Sequence, residues 1–509
     1  MVNNKSLYER FIEARKIQKA DLETSLDDLP DESSLSGIDL IGERIRDAVY
    51  SNEPTIIFGH DDPDGITGTY ILYKFLNDIG FQGHSYYIPN RNLESHGIQD
   101  NFVNFVRNNG YKLVITVDNG ISAKEGVRKL NDLGCDVVIT DHHLIQETML
   151  PDAYAIMNPH LPECNYPFKS LAGVGVALML IRYLSRQWDQ PIDPASYFWA
   201  AVGSIADKVP MIGINRVLIR HVLENFEDVQ DQTVQFLLRN YSRVDSQTEI
   251  FNFITYTSRL IANGREENGQ HSALSFINQL SDAKAKLFER LEEEKNLWES
   301  ELNRVFGFLD TLTEDFVGNY FVYYDDDGVI PYALLGTAAT YVVNRLGIPT
   351  IMLKQHNSLT VCEGRCKDGF NMVEAFSHCK EHLIQFGGHA KAAGFSMEHS
   401  SYDSFLECFN TYLNEHYLPP VSDSDMEYDT ECLLEEMDSE TWKALEAHLP
   451  WGQNNPEPIL KVKKLRVADL SGAWNLDSGS LHLSRDECKD CLVMWRSQRL
   501  IRILKILDD

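Results

Sequence analysis

Short apolar runs that each end in acidic residues constrain this chain more than any other feature. Residues 55–58, 113–117 and 137–140 are rich in β-branched side chains, and amphipathic stretches with helical periodicity separate them. This alternation predicts an α/β fold with a parallel sheet. The loops at the carboxyl ends of such strands line one crevice, so residues far apart in sequence converge there.

Four acidic segments stand where we expect strands to end. They are His60-Asp61-Asp62-Pro63-Asp64-Gly65, Asp118-Asn119-Gly120, Asp141-His142-His143 and Ala206-Asp207. Each alone has the composition of an ordinary turn, because proline fixes φ and glycine tolerates positive φ. As an ordered set they predict a metal site, since carboxylates with imidazole suit Mg²⁺ or Mn²⁺. Asp118 is the candidate bridge between two ions about 3.5–4 Å apart, the separation used in phosphoryl transfer.

With these segments the chain resembles the DHH phosphoesterases, and among them the RecJ single-strand-specific exonucleases. His60 stands where RecJ proteins commonly have Asp. The other segments that carry the resemblance are Pro89-Asn90-Arg91, Asn158-Pro159, Tyr166-Pro167-Phe168-Lys169, Ile205-Ala206-Asp207, Asn263-Gly264-Arg265 and the DHHA1-type signature Phe386-Gly387-Gly388-His389-Ala390-Lys391-Ala392-Ala393-Gly394-Phe395.

The resemblance implies two divalent cations, Mn²⁺ or Mg²⁺, and a role for each residue of the site. His143 is expected to donate to the substrate phosphate, and Asp141 to orient the histidines. Together with the bridging Asp118, these two residues are the candidate catalytic set. The implied metal ligands are His60, Asp62 and Asp118 for one ion, and Asp64, Asp118, His142 and Asp207 for the other.

The resemblance also implies substrate contacts, several of them across a cleft in the DHHA1-like domain. Two adjacent glycines allow a phosphate to approach the backbone closely, and guanidinium groups suit bidentate phosphate binding. The candidate residues are Arg91, Arg265, Gly364, Arg365, Gly387, Gly388 and His389. Glu363 departs from the family pattern, because RecJ proteins have there a serine that helps to hold a 5′ phosphate. A carboxylate repels that phosphate, so we expect the dependence on it to be weakened or changed.

We expect a fold of the α/β class. Two α/β lobes, a DHH domain with a parallel sheet and a smaller DHHA1 domain, are joined by a long helix, and a small OB-like β domain follows at the carboxyl end. Residues 281–306 contain neither Gly nor Pro and carry apolar residues at helical spacing, which predicts the helix. The carboxyl-terminal domain offers about four strand-like runs, which makes a complete five-stranded fold doubtful. The expected divisions are 1–40 (acidic extension on the first domain), 41–226 (DHH catalytic domain), 227–315 (helical connector), 316–420 (DHHA1 substrate-binding domain) and 421–509 (short OB-like domain).

The formal net charge of −30 argues against a broad nonspecific nucleic-acid surface. Net charge does not decide the local field, so we expect a narrow basic track inside an acidic shell. Nine cysteines without framework spacing favour a reducing compartment. With no hydrophobic leader or spanning run, the expected location is the cytoplasm.

Three functions compete. The first is a metal-dependent 5′-to-3′ exonuclease on single-stranded DNA, with DNA favoured over RNA and a role in repair or recombination. The second is a DHH phosphodiesterase for short oligonucleotides or cyclic dinucleotides, which would fit the acidic surface. The third is an inactive scaffold relative. Repair or single-strand-binding proteins are the candidate protein partners, and a monomer is expected.

Overall fold

The structure is a computed structural model of the whole chain. It describes residues 5–18, 22–90, 97–145, 150–242, 244–267, 270–278, 283–356, 358–367, 369–417, 427–470, 474–477 and 488–507. The chain divides into two compact units. The first comprises residues 1–292 and 427–509, and the second comprises residues 293–426.

The first unit is built on a parallel five-stranded sheet with the order β2-β1-β3-β4-β5. The predicted parallel α/β sheet is therefore confirmed. Its elements are α1 (Leu7–Arg15), α2 (Ile38–Ser51), β1 (Thr55–Phe58), α3 (Pro63–Asp78), β2 (His84–Tyr87), α4 (Asp100–Asn109), β3 (Leu113–Val117), α5 (Lys124–Asp132), β4 (Asp136–Thr140) and β5 (Ala155–Met157).

Helices follow the sheet and complete its core. They are α6 (Gly173–Trp188), α7 (Pro194–Ala206), α8 (Gly213–Glu224), α9 (Gln232–Asn240), α10 (Gln247–Ile261) and α11 (Ser272–Asn278), with the short hairpin β6 (Glu266–Glu267) and β7 (Gln270–His271) before α11. All five residues of β3 are buried, as expected for the middle strand of a sheet covered on both faces. The carboxyl ends of β1, β3 and β4 therefore meet at one edge.

The carboxyl-terminal residues of the first unit form a second five-stranded sheet, with the order β13-β14-β16-β17-β15. The expectation of about four strands was wrong, because β15 has only two residues and leaves no periodic signal. The elements are β13 (Thr430–Cys432), α16 (Ser439–Glu446), β14 (Ile459–Arg466), α17 (Val467–Leu470), β15 (Asn475–Leu476), β16 (Cys488–Ser497) and β17 (Leu500–Leu507).

The amino-terminal segment packs on two parts of the first unit. We expected it to extend the catalytic domain, and Glu32 does accept a hydrogen bond from Arg182 on α6. Helix α1 instead lies against the carboxyl-terminal domain, where Arg15 pairs with Asp429 at 2.6 Å. Apolar residues of α1 are too few in the sequence to indicate which surface they cover.

The second unit contains a mixed sheet with the order β11-β12-β10-β9-β8. The boundary between the two units falls within α12, a helix of 31 residues. This helix continues the predicted long helix to Thr313. Its elements are α12 (Ala283–Thr313, shared with the first unit), β8 (Phe321–Tyr324), α13 (Leu335–Leu346), β9 (Thr350–His356), β10 (Leu359–Arg365), α14 (Met372–His378), β11 (Gln385–His389), β12 (Ala392–Met397) and α15 (Tyr402–His416).

The second unit contains a disulfide. Cys379 and Cys408 form a disulfide between the end of α14 and α15, with their Cα atoms 5.9 Å apart. This pair was not predicted, because it depends on the packing of two helices against each other and not on a repeated cysteine spacing. Among the described residues, no helix has the length and apolar character needed to span a bilayer.

Candidate metal centre and substrate contacts

The first group of ligands lies at the carboxyl ends of β1 and β3. His60 follows β1, and its Nδ1 lies 3.0 Å from Asp62 Oδ2 and 3.8 Å from Asp118 Oδ2. Asp62 also caps α3, accepting a hydrogen bond from the Gly65 amide, with Pro63 at the first helical position. One atom each from His60, Asp62 and Asp118 lies within 4.8 Å of the other two. The structure therefore brings this predicted set together.

The second group lies beside the first. His142 Nε2 lies 3.1 Å from Asp118 Oδ1, 3.8 Å from Asp64 Oδ2 and 3.9 Å from Asp207 Oδ2. Both oxygens of Asp64 accept amide hydrogen bonds from Gly173 and Val174 at the start of α6. Atoms of Asp64, His142 and Asp207 lie within 4.8 Å of one another.

Asp118 belongs to both groups because its two oxygens face different histidines. Oδ2 faces His60 and Oδ1 faces His142, and Oδ1 is buried without a hydrogen bond from any described residue. Asp118 has φ +60°, in the left-handed region that a non-glycine residue adopts at some cost. A Cβ on Gly173 would lie 2.4 Å from Asp118 Cβ, so glycine is required there. This packing holds the carboxylate between the two groups.

Crowding of carboxylates gives the site its electrostatic character. The pKa values of Asp64 and Asp118 are well above the ordinary value, because both are buried and face other carboxylates. The same causes raise the pKa of Asp207 to about 6. Asp62 is half-buried; desolvation raises its pKa, but the hydrogen bond with His60 outweighs this effect and lowers the pKa to about 2. Divalent cations would relieve this repulsion, and the oxygen and imidazole ligands suit them.

Asp141 and His143 form a separate pair next to the ligands. His143 Nδ1 lies 2.7 Å from Asp141 Oδ1, and this hydrogen bond raises the pKa of His143 to about 9. Asp141 is buried and also accepts hydrogen bonds from the Ile121 and His142 amides. One atom of His143 also lies within ligand range of Asp118 and His142. Because Asp141 holds Nδ1, the Nε2 atom is the one available to a substrate.

One expectation about the site was wrong. Asp207 does not follow a strand but is the C-cap of α7, a helix that packs across α3. Gly203 allows this packing, because a Cβ there would lie 2.4 Å from Thr67 Oγ1. The sequence 194–206 is apolar with little periodicity, so a buried helix resembled a buried strand.

Arg265 lines a basic cavity of about 690 Å³ in the first unit. Its Nη1 donates to the carbonyl oxygens of Ala262 and Gly264. Lys286 and Arg290 also line the cavity, and no carboxylate occurs among its described lining residues. Neither of these two residues was predicted from the sequence, although their spacing of four places them on one face of α12. Arg91 lies outside the described residues.

In the second unit the candidate residues lie on β10 and β11. Arg365 pairs with Glu363, with Nη1 2.8 Å from Oε2. Gly364 faces the core, because a Cβ there would lie 2.7 Å from the Phe376 ring. Gly387 and Gly388 are exposed on the edge strand β11, and Gly388 has φ +131°. His389 ends this strand, and its side chain lies outside the described part of the structure.

Comparison with known proteins gives consistent matches. The model of the DHH family, N-terminal domain, matches residues 54–202. The chain is 30% identical to the single-stranded-DNA-specific exonuclease RecJ of Salmonella typhimurium, over 89% of this chain and 82% of that protein. It is 28% identical to RecJ of Bacillus subtilis, over 91% of this chain but only 59% of that longer protein.

Solved structures show the same fold. The crystal structure of Thermus thermophilus RecJ in complex with Mn²⁺ matches 99% of this chain and 78% of that one, with a TM-score of 0.73 and 21% identity. A manganese-bound exonuclease RecJ matches 76% of this chain and 97% of that one, with a TM-score of 0.62 and 23% identity. The sequence relatives and the shared fold together identify the chain as a member of the RecJ family of DHH phosphoesterases.

Proposed function

We propose that the protein is a metal-dependent exonuclease that hydrolyses phosphodiester bonds of single-stranded DNA from the 5′ end, in DNA repair or recombination. The observation that carries the proposal is Asp118. Its two buried oxygens face two histidines that belong to two adjacent groups of ligands. Such an arrangement suits a pair of divalent cations that share one carboxylate.

The proposed ligands follow from these groups. His60, Asp62 and Asp118 would hold one ion, and Asp64, Asp118, His142 and Asp207 the other. When bound, Mn²⁺ or Mg²⁺ ions activate water and neutralise charge that develops on the phosphoryl group. The protein fixes the ligands in advance, because Asp64 is held by two amides and Asp118 by its contact with Gly173.

His143 and Asp141 act on the substrate in this proposal. The hydrogen bond from Nδ1 to Asp141 fixes the imidazole ring and directs Nε2 away from that carboxylate. His143 is then placed to donate a hydrogen bond to a phosphate oxygen. Asp141 is a positioning residue, because its oxygens are occupied by backbone amides and by His143.

Cationic and glycine-rich segments are the proposed contacts with the strand. The basic cavity around Arg265, Lys286 and Arg290 supports binding of a phosphate backbone despite the acidic balance of the chain. In the second unit, exposed Gly387 and Gly388 allow a phosphate to approach the backbone. Arg91, Arg365 and His389 complete the proposed set on the strength of the family resemblance. Gly364 does not belong to it, because it is buried and faces the core.

Glu363 affects how strongly the protein prefers a 5′ phosphate over a 5′ hydroxyl. Its pairing with Arg365 occupies a guanidinium nitrogen that could otherwise bind a phosphate. We therefore expect little preference for a 5′ phosphate over a 5′ hydroxyl. Replacement of Glu363 by Ser should restore such a preference, because it removes the negative charge and frees Arg365.

The same proposal covers the location, oligomeric state, partners and domain boundaries of the protein. We place the protein in the cytoplasm, as a monomer, with repair or single-strand-binding proteins as partners. The domain divisions at about residues 40, 226, 315 and 420 are proposed as functional boundaries. Light scattering of the purified protein checks the oligomeric state.

A time course with end-labelled single strands tests the function. Strands of several lengths, each with a 5′ phosphate or a 5′ hydroxyl and labelled at either end, are digested in Mg²⁺ and in Mn²⁺. We expect mononucleotides to be released from the 5′ end, at similar rates for the two 5′ groups. The Asp118→Ala variant should be inactive under the same conditions.

Other outcomes favour the competing functions. Release from the 3′ end would contradict the proposed direction. Turnover confined to strands of a few nucleotides or to cyclic dinucleotides would favour the phosphodiesterase. Absence of hydrolysis in both metals, with strand binding intact, would favour an inactive scaffold relative.

A further inference from the structure

The sheet of the second unit carries a cavity of about 350 Å³ beside α13. Its volume lies in the range of small-molecule sites. Residues of three neighbouring strands line it, including Val361 and Glu363 on β10, Ser396 and Gly394 on β12, and Gly387 on β11.

The floor of this cavity is flat because glycines occupy one row of the sheet. Glu363 pairs with Gly394 across β10 and β12, and Gly394 pairs with Gly387 across β12 and β11. Directly paired residues point to the same face of a sheet. A Cβ built on Gly387 would meet no described heavy atom within 4 Å, so the space above this row is open. A planar ring can lie against such a surface.

A carboxylate oxygen of Glu363 points into this space. Glu363 pairs with Arg365 through Oε2 alone. Its Oε1 lies over Gly394, 3.4 Å from where a Cβ would be.

An aromatic side chain lies at the edge of the cavity. Tyr332 is 49% exposed and stacks on His356 with ring centroids 4.2 Å apart. This stacking holds the tyrosine ring in place before any ligand binds. A fixed aromatic ring next to a flat polar floor is typical of sites that take planar heterocycles.

We propose that this cavity binds one nucleobase of the substrate strand and prefers a base with an exocyclic amino group. The proposal rests on the proposed function, and it adds a specificity that strand cleavage alone does not require. Glu363 Oε1 would accept a hydrogen bond from the amino group of cytosine, adenine or guanine. Thymine presents the O4 carbonyl oxygen where cytosine has its amino group, and a carboxylate repels that oxygen.

Other ligand classes fit the cavity less well. A phosphate inside the cavity, next to Glu363, would be repelled, so the phosphate contact proposed for Gly387 and Gly388 is to their backbone on the edge of β11. A divalent cation would find one carboxylate already neutralised by Arg365, and no second carboxylate among the described lining residues. A base with an amino group satisfies Glu363 Oε1 and can lie against the glycine row.

Cytosine and thymine homopolymers test the preference, because the two bases have similar size and differ mainly in this edge. Binding of fluorescein-labelled dC12 and dT12 to the full-length protein is measured by anisotropy in EDTA, which prevents hydrolysis. We expect dC12 to bind about tenfold more tightly, the effect of one hydrogen bond to a charged group. Glu363→Gln should abolish the difference, because an amide can pair with either base.

A charge-matched control separates the site from general effects. Glu398→Gln removes the same charge from an exposed residue of the same unit and should keep the full preference.

The outcomes distinguish this inference from the proposed function. Equal binding of dC12 and dT12 by a parent protein that degrades single strands overturns the base site alone. A preference retained in Glu363→Gln also overturns it. A parent protein that neither binds nor degrades single strands overturns both.

Discussion

At the scale of single residues, the pair Asp141 and His143 shows how one buried carboxylate can hold both a loop and an imidazole ring. Asp141 is buried and holds two backbone amides as well as the imidazole of His143, which itself is exposed. An Asp at this position therefore fixes both the loop and the ring. The two residues should behave as one functional unit.

A double-mutant cycle on this pair tests that coupling. Asp141→Asn places an amide group where the carboxylate accepted the Nδ1 hydrogen, so the ring loses its orientation. We expect kcat/KM to fall about 10- to 100-fold, as for other residues that orient a site. His143→Gln should lower it at least as much, and the double variant should be no worse than His143→Gln alone. Additive losses would contradict the positioning role.

Some site residues could be predicted from the sequence and others could not. His60, Asp62 and Asp118 follow strands whose apolar runs are plain in the sequence, so their convergence was predictable. Asp207 was placed after a strand, because a buried helix and a buried strand have similar composition. The cavity above Gly394 gave no signal, since the pairing of Gly394 with Glu363 depends on the register of β10 and β12.

At the scale of secondary structure, the first turn of α6 positions two of the proposed metal ligands. Its amides hold Asp64, and Gly173 lies against Asp118. The helix start is therefore part of the site even though it contributes no ligand side chain.

Two glycine substitutions in α6 test this role. In Gly173→Ala the new Cβ would lie 2.4 Å from Asp118 Cβ, so the carboxylate must move. We expect most activity to be lost and stability to fall by about 1–3 kcal/mol. Gly175→Ala is the matched control, because its nearest neighbour would be Leu171 at 3.4 Å. It should keep activity and gain about 0.5–1 kcal/mol from helix propensity. Equal activity of the two variants would contradict the role of Gly173 in positioning Asp118.

The docking of α1 predicts a pH dependence of stability. His448 is buried, contacts Tyr8 through Nε2 at 3.1 Å, and lies against the Phe11 ring. Burial, and after it the charges of Arg216 and Arg15, lower its pKa to about 3. Below pH 6.5 the unfolded chain therefore binds a proton that the folded chain does not, and stability falls as pH falls.

Urea unfolding at several pH values measures this effect. Between pH 6.5 and 4.5 the contribution of His448 should be a loss of roughly 2–3 kcal/mol, at about 1.4 kcal/mol per pH unit. The His448→Gln variant should lack this part of the pH dependence. If parent and variant show the same slope, His448 is not the group responsible.

At the scale of the whole molecule, the net charge of −30 and the basic cavity imply a small number of phosphate contacts. The long helix was predictable, because helical periodicity is a local signal. The disulfide between Cys379 and Cys408 and the short strand β15 were not, because both depend on tertiary packing.

The salt dependence of strand binding tests the role of the cavity. Each phosphate contact to a single strand contributes about −0.7 to the slope of log K against log salt. Lys286→Ala and Arg290→Ala should each reduce the slope by about that amount. Arg128→Ala, on the exposed face of α5 where it pairs with Glu125, should leave the slope unchanged. A slope unaffected by all three changes would exclude the cavity from the strand path.

The central claim is that Asp118 holds two cations at once, and manganese binding tests it most directly. Mn²⁺ titration of the purified protein, followed by calorimetry and electron paramagnetic resonance, gives the number of ions and their magnetic coupling. We predict two Mn²⁺ per chain with a spin-coupled signal, its loss in Asp118→Asn, and its retention in Asp152→Asn, which alters an exposed carboxylate. A single uncoupled ion in the parent protein, or a coupled pair that persists in Asp118→Asn, would contradict the account.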